Sequence, residues 1–167
     1  MIFDNTFICT VTGKSYFIRG QLNCESINVI YLITCSKCLE QYVGSAVKFK
    51  TRFRIHKSDI KTKKERCGSA RHFNRKYYHD TKPFQYVQVQ LIEQIQSNRS
   101  ENIEDVLWDR EKYWQSQLFT ITKGMNSILD LYSSKRKDCR KRQLSLSIAI
   151  HILYASSCQS FLKYYMF

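Results

Sequence analysis

The sequence predicts an α+β domain, a small three-stranded antiparallel sheet flanked by helices, on three observations. Two β-branched and aromatic runs, residues 29–34 and 41–43, are joined by a connection short enough for a hairpin. A third run, residues 84–95, alternates apolar side chains with glutamine. Between and after these runs lie two segments whose apolar residues recur at helical spacing.

The elements follow in order. Residues 1–27 read as an upstream, linker-like segment of short strands, with a turn at Thr12-Gly13-Lys14 and a small apolar run at Tyr16, Phe17 and Ile18. Val29 to Thr34 is dense in residues that fit a pleated, buried surface and reads as a strand. Gln41 to Val43 is its partner, and Cys35-Ser36-Lys37-Cys38 suits the hairpin tip. Past Gly44 the pattern turns helical, with Phe49, Phe53 and Ile60 on one side and charges between them. Residues 61–83 are polar and basic, a loop or short helices. Phe84 to Ile95 is the third strand, with Phe84, Tyr86, Val89 and Leu91 set against Gln85, Gln88 and Gln90. Asn102 opens a second long helix. Glu104 and Asp105 stand in its first turn, where the helix dipole favours anions. Val106, Leu107, Tyr113, Trp114 and Leu118 form its apolar side, and Lys123-Gly124-Met125-Asn126 is a turn. The folded domain is expected over residues 28–130, followed by a basic stretch and an apolar tail, 131–167.

Composition narrows the function. A chain of 167 residues is long enough for one domain with a real core. At 43% hydrophobic and 14% aromatic, with one Pro and five Gly, it is neither disordered nor a linker. The net charge is +13, and it is concentrated. Residues 48–82 hold thirteen Lys/Arg against three Asp/Glu, and residues 135–142 hold six against one. With Phe49, Phe53, Phe73, Tyr77 and Tyr78 interleaved, such a surface suits a polyanion, most simply nucleic acid; a solvated basic face is the plainer alternative. Seven cysteines, an odd number with no signal peptide before them, favour a reducing compartment and thiols available to metal. Leu144 to Phe167 carries one charge, Lys163, but polar residues interrupt it, so a membrane span is not expected.

Some residues carry possible chemistry. Tyr31 and Tyr42 stand on the two hairpin strands, with ten residues between them. Arg52 and His56 are four apart, on one helix face. Glu111 sits beside an apolar helix stripe. Each has a plain reading as well. Strand tyrosines are usually core residues with a tethered hydroxyl, a lone arginine is usually a surface contact, and Glu111 could pair with Arg110 or Arg52.

Taken together the motifs are more specific. Val29-Ile30-Tyr31, Tyr42-Val43-Gly44, the Arg52–His56 helix, Arg110-Glu111 within DREKYW and Asn126 in GMN occur in one order across residues 28–128. The chain resembles the GIY-YIG nuclease superfamily in these five motifs. Val29 departs from the family's opening glycine, a mainly structural position. HKSDI, ARHFN and the Cys-x-x-Cys between the tyrosine motifs are similar to the endonuclease domains of Penelope-like and related non-LTR retroelements.

The resemblance implies a DNA endonuclease that hydrolyses phosphodiesters, by nicking. That chemistry needs an activated water, a cation to polarise the phosphate and stabilisation of the departing oxyanion. The resemblance puts a Mg²⁺ (or Mn²⁺) ligand on Glu111, an oxygen donor suited to a hard cation. It puts the general base on Tyr31, with Tyr42 orienting the water or its neighbours. Arg52 clamps the scissile phosphate. His56 hydrogen-bonds the phosphate or helps move the proton, and Asn126 braces the site. A free tyrosine titrates near pH 10, so Tyr31 needs a nearby cation, which Arg52 can supply.

Cys35 and Cys38 at a hairpin tip also suit a zinc site; two reduced thiols at a turn are the alternative. The resemblance implies the set Cys35, Cys38, His72 and His79, although the two histidines are more widely separated than in most zinc fingers. Such a zinc would fasten the basic segment to the hairpin. DNA is the expected partner, with no small-molecule substrate. The run KRKDCRKR, residues 135–142, resembles a nuclear localisation signal, so a nuclear place is expected, otherwise a cytoplasmic one. Two rival readings stand beside this: a catalytically decayed, zinc-stabilised nucleic-acid-binding module, and a protein tethered to a membrane by residues 144–163.

Overall fold

A computed structural model describes residues 5–75, 82–96 and 102–128. Its elements are β1 (Thr6–Ile8), β2 (Ser15–Phe17), β3 (Ile27–Cys35), β4 (Gln41–Lys48), α1 (Phe49–Lys61), α2 (Gly68–Asn74), β5 (Val87–Gln94) and α3 (Ile103–Gln117). His79 and residues 131–167 lie outside the described residues. No helix among the described residues is long and apolar enough to cross a membrane.

The central sheet has the order β4-β3-β5, all antiparallel. β3 takes the middle because it is buried almost throughout, and a strand covered on both faces must read as a near-continuous apolar run. One face packs Val29, Tyr31, Ile33, Tyr42 and Ala46 under α1 and α2 through Phe49, Ile60, Ala70 and Phe73. The other packs Ile30, Leu32, Val43 and Ile92 under α3 through Leu107, Trp114 and Leu118.

Two boundaries differ from the sequence pattern. β4 runs on to Lys48, because Ser45, Ala46 and Lys48 pair with Ile30, Val29 and Ile27; Gly44 is therefore inside the strand and not at its end. Phe84 and Tyr86 belong to a 3₁₀ turn, Pro83–Tyr86, where Pro83 at the first position has no ladder hydrogen bond to lose. Residues 6–17, read as short strands about a turn, form the β1–β2 hairpin, which buries Phe7 and Cys9 against α3. Trp114 meets Phe7 and Tyr16 edge-on at 5.2 and 5.4 Å. Contacts of that geometry add about 0.5–1.5 kcal/mol each beyond burial.

α3 starts at Asn102, whose side chain accepts a hydrogen bond from the Glu104 amide at 3.1 Å. Such a cap is worth about 1 kcal/mol. β5 contains a bulge opposite Ile30 and Tyr31. The extra residue turns Glu93 to the same side as Ile92, under α3, where strict alternation would send it to the other face. Arg19 then hydrogen-bonds Ile92 and Gln94 through its backbone and covers part of the β5 edge.

Candidate active site

The β3–β4 ladder sets Tyr31 opposite Gly44 and Tyr42 opposite Ile33, which puts both tyrosines on the α1 side with their rings 6.5 Å apart. Gly44 is required by close approach. A Cβ there would collide with the phenol of Tyr31, so no other residue leaves the ring where it lies.

α1 brings Arg52 and His56 over this pair, one turn apart. Arg52 donates through Nε to Tyr31 Oη at 3.2 Å. Tyr31 is wholly buried, and its hydroxyl stands 2.7 Å from His56 Nε2. His56 is 1% exposed and lies edge-on to both tyrosine rings, at 5.6 and 5.7 Å. Its other nitrogen, Nδ1, is 3.0 Å from Ser69 Oγ and 3.6 Å from Cys67 Sγ. The result is a buried chain of contacts running Arg52, Tyr31, His56, Ser69. Among the described residues Arg52 makes one hydrogen bond, through Nε, so both terminal nitrogens are available to an anion.

Burial pushes the Tyr31 phenol up to about 12, and the pull of Arg52 in the opposite direction is smaller. Burial raises Tyr42 well above its ordinary value too, with the charges of Tyr31 and Glu111 adding to it. Arg52 does not by itself bring Tyr31 toward neutrality, because losing water outweighs gaining one cation. In this state both tyrosines are neutral phenols.

Glu111 projects from α3 near enough for its charge to act on both tyrosines. Ser45 donates to its Oε2 at 2.5 Å, and Gln115, one turn on, donates to its Oε1 at 3.1 Å. Arg110, a partner considered for it, is instead committed to Glu93 at 2.9 Å. Each Glu111 oxygen accepts a hydrogen bond. Gln115 Oε1 is buried with no hydrogen-bond partner among the described residues. A carboxylate fixed on both oxygens beside an unsatisfied amide oxygen fits a hard divalent cation with its own waters.

Asn126 reaches the outer edge of β4 and pairs with both backbone groups of Val43. It accepts from the amide at 2.8 Å and donates to the carbonyl at 2.9 Å. It therefore holds the strand at the residue between Tyr42 and Gly44.

The second cluster lies at the hairpin tip. The ligand atoms of Cys35, Cys38 and His72 all lie within 4.8 Å of one another. His72 presents Nε2 to Cys38 Sγ at 3.4 Å, while its Nδ1 faces Glu40 at 3.4 Å. Burial is the largest cause raising the Cys38 thiol, to about 11, and the hydrogen bond and charge of Cys35 add to it. Two sulfurs and one imidazole suit a tetrahedral zinc with one position left.

The profile of the GIY-YIG catalytic domain matches residues 27–126, from the first residue of β3 to the asparagine that braces β4. The chain belongs to the GIY-YIG family. A GIY-YIG catalytic domain is a nuclease domain, so this chain is a hydrolase of the endonuclease class, acting on DNA, and GIY-YIG nucleases are generally metal-dependent. Among solved structures, the catalytic domain of the homing endonuclease I-TevI is similar. It is 24% identical, with a TM-score of 0.46, over 59% of this chain and 95% of that one. A mutant of the same intron endonuclease domain is 23% identical, with a TM-score of 0.46, over 58% and 89%. Among curated proteins none matches.

Tyr31, Arg52 and His56 touch through one hydroxyl, Tyr42 flanks them, and Glu111 and Asn126 flank β4 of this GIY-YIG domain. The sequence reading did not include Ser45, Gln115, Ser69, Cys67 or Glu40. Ser45 carried a signal, because strand alternation after Tyr42-Val43-Gly44 puts it on the α3 side. Gln115 also did, at i+4 from Glu111 on one helix. Ser69 and Cys67 carried none, since only tertiary packing brings them to His56.

Proposed function

We propose that this chain is a metal-dependent DNA endonuclease of retroelement origin, nicking DNA by hydrolysis. The observation that carries the reading is Tyr31 Oη held between the Arg52 guanidinium and His56 Nε2, within the charge field of Glu111.

Arg52 uses its two unengaged terminal nitrogens to clamp the scissile phosphate. As it shifts toward that anion it uncovers Tyr31, which is fully buried without substrate. An attacking water gives its proton to Tyr31 Oη as the Tyr31 proton passes to His56 Nε2. The phenol is never left as a bare anion, so its high pKa does not block the step. Tyr42 packs beside His56 and Tyr31 and limits where the water can stand. Glu111, fixed by Ser45 and Gln115, would hold Mg²⁺ (or Mn²⁺), whose charge polarises the phosphate and stabilises the leaving oxyanion. Along the exposed side of α1, Lys50, Arg54, Lys57 and Lys61 recur at spacings of four, three and four. That stripe suits a phosphate backbone passing over the site.

Cys35, Cys38 and His72 are proposed to hold a structural Zn²⁺, with His79 as fourth ligand. Glu40 steadies the histidine from behind, the usual way a metal-bound imidazole is oriented. This thiol–imidazole set, with HKSDI and ARHFN, is what supports the Penelope-like, non-LTR affinity. KRKDCRKR supports a nuclear place.

Purified protein incubated with supercoiled plasmid tests the reading. Relaxation that needs Mg²⁺ and is lost in Glu111→Ala is expected. Salt-sensitive DNA binding without relaxation, the same in both proteins, would establish a binding-only remnant instead.

A further inference from the structure

We propose that Ser69 is a positioning residue for the proton transfer, fixing the His56 tautomer so that Nε2 can receive the proton from Tyr31. The proposal rests on the nuclease reading, and the geometry supports it in three steps. Tyr31 Oη accepts from Arg52 Nε–H, so its own hydrogen is directed at the remaining partner, His56 Nε2. A neutral imidazole that accepts at Nε2 carries its proton on Nδ1. That Nδ1–H donates to Ser69 Oγ at 3.0 Å, with Cys67 Sγ a longer alternative at 3.6 Å. If Nδ1 lost its acceptor, the proton could sit on Nε2, and the ring could then take nothing from Tyr31.

A positioning group must itself be held, and Ser69 is. It is fully buried on the first turn of α2. α2 starts at Gly68, where a Cβ would collide with the Met125 carbonyl, so the helix lies directly on the backbone next to Asn126. Asn74, its last residue, donates to the Asp59 carbonyl of α1 at 3.3 Å, and His72 in its last turn contacts Cys38. α2 is thus anchored to α1, to the segment that braces β4 and to the hairpin tip. The proton moves from Tyr31 Oη to His56 Nε2, and the imidazolium so formed keeps its Nδ1–H on Ser69. No oxidant or further reactant is needed.

The test uses the full chain, wild type beside Ser69→Ala and Ser69→Cys. The His56 ring nitrogens are observed by ¹⁵N NMR, and metal-dependent nicking is timed under single-turnover conditions. The wild type is expected to show the Nδ1–H tautomer. Ser69→Ala should lose that preference and slow the nicking step about tenfold, the worth of one neutral hydrogen bond, with unchanged DNA binding and a melting temperature lowered by several degrees but still well above the assay temperature. Ser69→Cys, close in size but a weak acceptor, should fall between. An Nε2–H tautomer in the wild type, or a Ser69→Ala variant that keeps both tautomer and rate, would overturn the proposal. A wild type that does not nick would sink the nuclease reading, and the nitrogen resonances would still decide whether Ser69 holds the ring.

Discussion

Each face of the central sheet buries a polar cluster built around an arginine, and the two clusters differ in what they leave unused. Under α3, Glu93 accepts from Arg110 through Nε and Nη2, from Trp114 Nε1 at 2.7 Å and from Arg19 at 3.3 Å. Its two oxygens are shared by three donor groups, two of them guanidinium cations, so the carboxylate is fully engaged. Under α1, Arg52 hydrogen-bonds no carboxylate among the described residues. It uses Nε on a neutral phenol and keeps its terminal nitrogens for something else. A closed cluster of the first kind holds a fold together; an open one of the second kind can receive a substrate. The same residue type is structural on one face and chemical on the other, because of what the sheet places beside it.

The largest test of this contrast is Glu111→Ala. Nicking of supercoiled plasmid should fall about a thousandfold, the scale of losing a preorganised charge stabiliser, while DNA affinity stays near wild type in a salt-controlled binding assay. Rates within a factor of a few of wild type would remove Glu111 from the chemistry. Next comes the α3 face. Trp114→Ala should lower unfolding free energy by about 3–5 kcal/mol in a urea titration, enough to unfold much of the protein. A small loss would mean that the β1–β2 hairpin contributes little to the core.

The two arginines give the sharpest comparison. Arg52→Lys should slow nicking about a hundredfold with little change in stability, because an ammonium cannot reproduce the Nε bond and the two-pronged clamp together. Arg110→Ala should do the reverse, losing about 2 kcal/mol of stability in the same titration and little rate once folded protein is counted. If both variants lose rate and stability alike, the open and closed clusters are not distinct. The smallest effect is alkaline. Tyr31 has its folded pKa raised above the free value, so staying protonated stabilises the fold. That stability is fully present below about pH 10 and is lost as pH rises toward about 12. Melting curves of Tyr31→Phe should therefore fall less steeply with pH over that window; an unchanged slope would show that the phenol is not so deeply buried.

How much could be read in advance depended on the residue. The paired runs 29–34 and 41–43 declared a hairpin, because β3 is buried along nearly its whole length and its sequence must be apolar throughout. Asn102 with Glu104 declared a helix start, since capping is a local matter. The extension of β4 past Gly44 was hidden. Val47 and Lys48 are exposed there, so no apolar pattern marks them, and pairing with β3 alone makes them strand. The role of Gly44 was hidden for a related reason, since its missing Cβ is explained by a ring on the neighbouring strand.

From the sequence alone came the kind of fold, the tyrosine pair, the Arg52–His56 spacing and the two cysteines of the hairpin tip. These are patterns of neighbours within one element or across one tight turn, where geometry follows from spacing. Tertiary structure alone decided that burial outweighs Arg52 at Tyr31, that Glu93 and not Glu111 takes Arg110, and that Ser69 meets His56. Each of those is a competition between groups far apart in the chain, settled by distance and by loss of water, and neither quantity is set until the sheet and its helices have packed.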